Sequence, residues 1–327
     1  MSLVLTASEV MQVLDMDLAL AAVAEAFRAY GEGRVHMPPK AYLTLAQGDF
    51  RAMYGEIDLP EGHICGLKWV NVHPGNPARG LLTVMAKILL NHPDTGLEFA
   101  DLDGTRITDF RTGAAGGLAA KYLARPGVAR LGVIGCGAQA RTQVAAILKV
   151  RPIREIVVCD RHPDHARAFA EKITAAHGVP ARPAATAQAA VQGMDIVVTT
   201  TPSRTPVVQR GWLAPGVHIN AIGADAAGKQ ELAPAILKAA KVVVDDWAQA
   251  SHSGEINVAL ARGEFSQEQV YGSLGEVVAG KKPGRLGPEE ITVFDSTGLI
   301  IQDLALGYAV YLRARELGLG EEKDFLK

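Results

Sequence analysis

One segment constrains this chain more than any other. The run Leu131-Gly132-Val133-Ile134 ends on Gly135-Cys136-Gly137-Ala138-Gln139-Ala140, a GxGxxA turn, and a helix-patterned stretch opens from it. Two glycines let the backbone turn sharply at the end of a strand, and the small Ala140 lets the following helix lie close to that strand. Downstream, apolar runs recur at 131–135, 153–160, 195–201, 216–223, 241–246 and 291–296. They read as near-continuous hydrophobic strands, the pattern of a sheet covered on both faces. Helical patterns fall between them at 138–150, 162–176, 185–191 and 231–239. Strand and helix in alternation predict an α/β, Rossmann-type, doubly wound parallel sheet.

Such a turn suits a dinucleotide. The free N–H groups of the helix N-terminus face an anion, and backbone at Gly135, Gly137 and Ala138 can approach a pyrophosphate. Asp160 ends the next strand, 25 residues after Gly135, where a carboxylate accepts hydrogen bonds from ribose hydroxyls. That predicts NAD as cofactor, while the adjacent Arg161 leaves NADP open, since a guanidinium can hold a 2′-phosphate. Thr199-Thr200-Thr201-Pro202-Ser203 and Ala221-Ile222-Gly223 follow two further strands, where open α/β sheets bind ligands. Taken singly, each threonine fits ordinary strand chemistry equally well. Cys136 reads as a small filler, with no basic partner to activate it. His162 and His165 have metal-ligand types, but Pro163 and Asp164 mark a helix start, and no metal is expected.

The N-terminal third follows another rule. Val10, Leu14, Leu18, Ala22 and Phe27 recur at roughly helical spacing, with Ser8 as candidate cap. From Ala41 to Asp103, β-rich runs alternate with Gly, Pro, Asn and Asp, and Pro93-Asp94-Thr95-Gly96 reads as a hairpin turn. An Ala/Gly-rich helix starts near Thr112, and a final helix spans about 299–317 before a polar tail. If that helix returns to the first domain, the domains are 1–112 with 300–327, an α+β substrate-binding and dimerisation domain, and 113–299, the dinucleotide domain. A first segment of this length is too thin to bury both faces alone, which predicts a homodimer.

Charge narrows the partners. Lys and Arg number 33 against 35 Asp and Glu, a net charge of -2. Nothing there attracts nucleic acid or an anionic membrane, and no apolar run reaches the ~18 residues of a spanning helix. An odd set of cysteines (Cys65, Cys136, Cys159) without a CxxC, and a start without a basic leader pattern, predict a cytoplasmic location.

Several charged residues sit where packing would not place them. Lys68 lies in GLKWVNVHP, Arg111 before the Ala-rich helix in FRTGAAGG, Lys40 after a Pro-Pro pair, and Arg51 in GDFRAMYG. Asp225 and Lys229 follow a parallel strand in GADAAGKQEL. Cations inside a β-rich domain need an anion, and a substrate carboxylate would supply one. Each cation alone also fits a surface position with its stem along the sheet.

These stretches, together with MPPKAYL, GLLTVMAKILL, TTTPSRTPVV, HINAIGADAAGKQEL, SGEINVA and FDSTGLIIQD, resemble the ornithine cyclodeaminase/mu-crystallin family over nearly the whole chain. Within it they are most similar to the archaeal-type alanine dehydrogenase branch. The resemblance implies an NAD-dependent oxidoreductase acting on CH–NH2, of which reversible oxidative deamination of L-alanine to pyruvate is the first reading. Ornithine cyclodeaminase-type ring closure and cyclic-imine reduction are alternatives, as is a non-catalytic, mu-crystallin-like ligand-binding protein. It further implies Lys68 as the active-site lysine and Asp225 as handler of a proton. Lys40, Arg51 and Arg111 would hold an amino-acid or keto-acid substrate. Thr83, Arg111, Gln139, Asp160, Arg161, Thr201, Pro202, Ala221, Ile222, Gly223, Lys229 and Ser296 would surround the cofactor. Two departures stand out: RAMYGEI, and Lys87 in VMAKILL, which would charge the pocket if it pointed inward or sit on an exposed strand face if it did not.

Overall fold

The computed structural model describes residues 1–325 and 327. In chain order, β1 (Ser2–Leu5), α1 (Ala7–Val13), α2 (Met16–Glu32), β2 (Val35–His36), β3 (Ala41–Leu45), β4 (Gly48–Leu59), β5 (Gly62–Val72), β6 (Val84–Asn91) and β7 (Glu98–Asp103) lead into α3 (Gly104–Leu123). Then come β8 (Arg130–Ile134), α4 (Ala138–Val150), β9 (Glu155–Cys159), α5 (Pro163–His177), β10 (Ala181–Pro183), α6 (Ala187–Val191), β11 (Ile196–Thr199) and β12 (His218–Ala221). The chain closes through α7 (Pro234–Ala239), β13 (Lys241–Val244), α8 (Trp247–Ser253), α9 (Asn257–Ala261), β14 (Val270–Ser273), α10 (Leu274–Val278), β15 (Thr292–Asp295), α11 (Ile300–Glu316) and β16 (Glu321–Lys323). Two units result, Met1–Arg111 with Leu299–Lys327, and Thr112–Gly298. No helix among the described residues is long and apolar enough to cross a membrane.

The first unit is a mixed eight-stranded sheet, order β16-β1-β7-β6-β5-β4-β2, with β3 paired to β4. The strands from β4 to β7 form an antiparallel meander, whereas β1 runs parallel to β7. Alternation along β4 and β5 buries Met53, Ile57 and Leu59, and Ile64, Lys68 and Val70. Their face meets α11, which also packs on α2. Three expectations are corrected. The first helix is capped by Thr6, not Ser8: Thr6 and Glu9 form a reciprocal capping box, and Ser8 is already helical. The tail is not merely polar, because β16 pairs with β1. The Ala-rich helix begins at Gly104, so Arg111 lies within it and not before it; Asp103 accepts from the N–H groups of Thr105 and Arg106 and starts the helix there.

The second unit is an eight-stranded, all-parallel sheet, order β10-β9-β8-β11-β12-β15-β13-β14. Its core is aliphatic, with Val157, Val197, Ile219, Val242 and Val293 buried. From β8 the chain steps outward to β9 and β10 on one side, then crosses to β11 and β12 on the other. That reversal makes the carboxyl ends of β8 and β11 a topological switch point, where α/β sheets bind ligands.

Candidate functional site

Each unit carries one cluster. In the first, register decides the geometry. Arg51 pairs with Val70 and Met53 with Lys68 across β4 and β5. Arg51 and Met53 are two apart, so Arg51 and Lys68 share the buried face. Lys68 is 1% exposed, and its Nζ lies 2.6 Å from Asp303 Oδ2. Asp303 Oδ1 accepts from Arg111 Nε at 3.1 Å, and Arg111 Nη1 donates to Gln302 Oε1 at 3.0 Å. Thr108, one turn before Arg111 on α3, also reaches Asp303 Oδ1, at 3.5 Å. Asp303 stands in the first turn of α11, where the helix dipole favours a carboxylate.

One carboxylate is therefore shared by two buried cations. Burial and the neighbouring Arg111 and Lys40 charges lower the Lys68 amine to about 7, against the opposing pull of Asp303. Such an amine is a competent base at neutral pH, because a substantial fraction is uncharged. Arg51 is 6% exposed and pairs side-on with Asp49, Nε to Oδ1 at 2.7 Å, beneath the Tyr42 ring. Lys87 does not enter this cluster: it is half-exposed on the opposite face and pairs with Asp101 at 2.6 Å. Thr83 lies in the bend before β6, its carbonyl accepting from His73 N–H.

The second cluster lies at the switch point. Gly135 has φ +89, a conformation other residues adopt only under strain, and a β-carbon there would meet Thr200 at 3.0 Å. Gly137 caps α4 without any side-chain acceptor, which leaves the first N–H groups of that helix for a ligand. A β-carbon on Gly137 would meet no atom within 4 Å, so the turn is open at that point. Asp160 accepts from Cys136 N–H at 3.0 Å and His162 N–H at 2.9 Å, which ties the carboxylate to the turn. Arg161 Nε instead donates to His162 Nε2 at 3.0 Å. Burial and Asp160 push the Cys136 thiol up to about 12, so it stays protonated and unreactive.

Across the switch point, Thr200 Oγ1 donates to Gly135 O at 3.0 Å, which joins the end of β11 to the glycine turn. Ser296 N–H donates to Ala221 O at 3.1 Å. Asp225 receives Lys229 Nζ at 2.5 Å, an ion pair one helical turn apart in a loop. That loop is pinned by Asn257, whose Oδ1 accepts from Gly228 N–H at 2.9 Å and whose Nδ2 donates to Lys229 O at 2.8 Å. Thus Lys68, Arg111, Arg51 and Lys40 belong to the first unit with Thr83, and every other expected site residue to the second. Asp303, Gln302, Asn257 and Glu231 received no role from sequence, though all stand inside the motif stretches. No group of three or more His, Cys, Asp or Glu side chains able to hold a metal occurs among the described residues.

The stretches that hold both clusters fall within the region matched by known proteins. The profile of the ornithine cyclodeaminase/mu-crystallin family matches residues 1–318. The chain is 49% identical to the alanine dehydrogenase of Archaeoglobus fulgidus over 100% of its own length and 99% of that protein. A solved archaeal alanine dehydrogenase dimer with bound NAD superposes with a TM-score of 0.95 at 50% identity, covering 99% of each chain. The Thermococcus litoralis Δ1-pyrroline-2-carboxylate reductase, in complex with NADH and L-proline, gives 0.94 at 35% identity, covering 98% of this chain and 100% of that one.

Proposed function

The chain belongs to the ornithine cyclodeaminase/mu-crystallin family, and from that premise we propose that it is an NAD-dependent amino-acid dehydrogenase that converts L-alanine, NAD+ and water reversibly to pyruvate, NADH, ammonium and a proton. The observation that carries this reading is the buried Lys68, lowered to about 7 and held by Asp303 on the sheet face that also carries Arg51. When bound, NAD accepts a hydride from the substrate Cα and the rest of the chemistry falls to side chains.

In this reading the nucleotide rests on the second unit. The turn Gly135–Gln139 takes the pyrophosphate and Asp160 the adenosine ribose, both at the β8–β9 side. Arg161 is turned onto His162, so the acid at that position favours NAD over NADP. The nicotinamide half then lies at the β11 and β12 ends, against Thr201, Pro202, Ala221, Ile222 and Gly223, with Ser296, whose N–H donates to Ala221 O, and Lys229 in the loop that follows β12. Arg51 and Lys40 hold the substrate carboxylate and Arg111 orients the substrate. Uncharged Lys68 takes a proton from the substrate ammonium, which frees the amine lone pair that stabilises the developing imine. Asp225, which receives Lys229 Nζ, accepts the proton of the water that adds to the imine.

The assay is incubation with NAD and a panel of amino acids, with NADH absorbance and ammonia followed together. Equal NADH and ammonium from L-alanine is the expected result. Ammonia from ornithine without NADH would replace this reading with a cyclodeaminase, turnover of cyclic imines alone with a reductase, and no signal with a ligand bound in calorimetry with a binding protein. The three cysteines are thiols, which suits a reducing cytoplasm.

We also propose that the protein is a homodimer through the outer face of the first unit's sheet. Leu43, Leu45, Tyr54 and Trp69 are exposed, and Phe50 stacks on Trp69 at 4.9 Å. Apolar side chains collected on one face of a sheet mark an interaction surface. Light scattering is expected to give the mass of two chains, and Trp69→Glu to shift it towards one; a wild-type protomer alone at micromolar concentration would refute the dimer.

A further inference from the structure

Glu231 is fully buried in the second unit, and its carboxylate accepts hydrogen bonds from donors at the strand ends. One oxygen, Oε2, accepts from Thr199 Oγ1 at 2.7 Å and from Gly223 N–H at 2.8 Å. The other, Oε1, accepts from Thr201 N–H at 2.5 Å. A single carboxylate therefore spans the carboxyl ends of β11 and β12. The two loops are pressed together around it: a β-carbon on Gly223 would lie 2.5 Å from Thr201 N and 2.7 Å from the Glu231 carboxyl carbon. Glu231 is itself fixed, because its backbone N–H donates to both oxygens of buried Glu255 at 2.9 Å.

A buried carboxylate is costly unless its lone pairs are filled. Here donors from Thr199, Thr201 and Gly223 fill them, and two are main-chain groups at the turns that must stay rigid if the loops are to present a fixed surface to a ligand. A hydrophobic residue would leave both N–H groups unpaired. A glutamine would force its NH2 against one of them, since each oxygen accepts from an N–H. The site thus demands a carboxylate, which is more than packing demands.

We propose that Glu231 is a positioning residue that clamps Thr201 and Gly223 and so sets the surface that receives the nicotinamide half of the dinucleotide. The proposal rests on the nucleotide reading above. It predicts a larger effect on the nicotinamide half of the cofactor, because Glu231 hydrogen-bonds directly to Thr201 and Gly223, whereas the glycine turn on the adenosine side is joined to this clamp through Thr200.

The test is calorimetric binding of NAD and of ADP-ribose, which lacks the nicotinamide. Glu231→Gln is expected to weaken NAD about tenfold, the loss of a hydrogen bond to a charged acceptor, and to leave ADP-ribose within about twofold. Thr199→Val, a near-isosteric change that removes one donor to the clamp, is expected to weaken NAD about threefold with ADP-ribose unchanged; it keeps the question answerable should Glu231→Gln fail to fold. Equal losses for both ligands in Glu231→Gln, or NAD binding unchanged in Thr199→Val when the glutamine variant does not fold, overturn the clamp while the nucleotide site stands. A wild-type chain that binds neither ligand overturns the nucleotide reading and the clamp with it.

Discussion

Asp303→Ala is expected to destabilise the protein by about 3–5 kcal/mol and to abolish turnover, because it strips the counter-charge from two buried cations at once. Lys68 and Arg111 both end on this carboxylate, and neither is exposed enough to recruit water in its place. The cost is that of uncompensated buried charge, which exceeds what the ion pair itself contributes to stability. Asp303→Asn separates the two effects. It keeps the volume and an oxygen for Arg111 and Thr108 while removing the negative charge. Asp303 holds the Lys68 amine up against burial and against Arg111, so its neutralisation lowers the amine further. Alanine oxidation by Asp303→Asn is therefore expected to persist to lower pH than in the wild type, with smaller loss of stability than Asp303→Ala. Urea titrations and pH–rate profiles of the two variants measure this. A stability change for Asp303→Ala within about 0.5 kcal/mol, the range of an ordinary surface substitution, would show that the cluster is not held as described.

The parallel sheet was legible because its strands are buried on both faces and so read as unbroken apolar runs. The glycine turn was legible because Gly135 must adopt a positive φ where a strand meets a helix. What escaped was either short or distant. β10 and β14 are edge strands of three and four residues, the first ending on Pro183 and the second holding Gly272, and carry no periodicity. The Ala-rich half of α3 dominates its pattern and masks a start that Asp103 signals. Asp303 was invisible as a site residue because its partner Lys68 stands 235 positions away. An acid in the first turn of an apolar helix reads as a dipole effect until a fold brings a lysine to it. Glu231 escaped for the same reason: nothing local in KQEL says that its carboxylate will bridge two strand ends. A charged residue inside an apolar stretch marks Lys68 in GLKWV, and the same signal stands at Asp303 in LIIQDLAL.

Lys68→Met is expected to leave the fold nearly intact and to reduce kcat by about 10²–10⁴, the span of a lost general base. The asymmetry with Asp303 follows from counting charge. Without Lys68, Asp303 keeps Arg111 and Thr108, so one buried cation meets one buried carboxylate, and the desolvation cost of the amine disappears. Methionine fills the same length of β5 side chain on the face that carries Met53. The pH dependence identifies the group. In the wild type, kcat/KM for alanine oxidation should rise with pH and level off above about 7, as Lys68 loses its proton. In the reverse direction the same lysine must donate, so pyruvate amination should fall as pH rises through that value. Lys68→Met should lack both limbs. Stability carries the same signature. The folded amine titrates near 7 and the unfolded one near its ordinary 10.5, so between those values the unfolded chain holds the extra proton. Wild-type stability relative to Lys68→Met should therefore rise as pH increases from about 7 towards 10.5 and be flat below. A variant that retains the limb near pH 7 would transfer the base role to another group and leave Lys68 as no more than a substrate-facing cation.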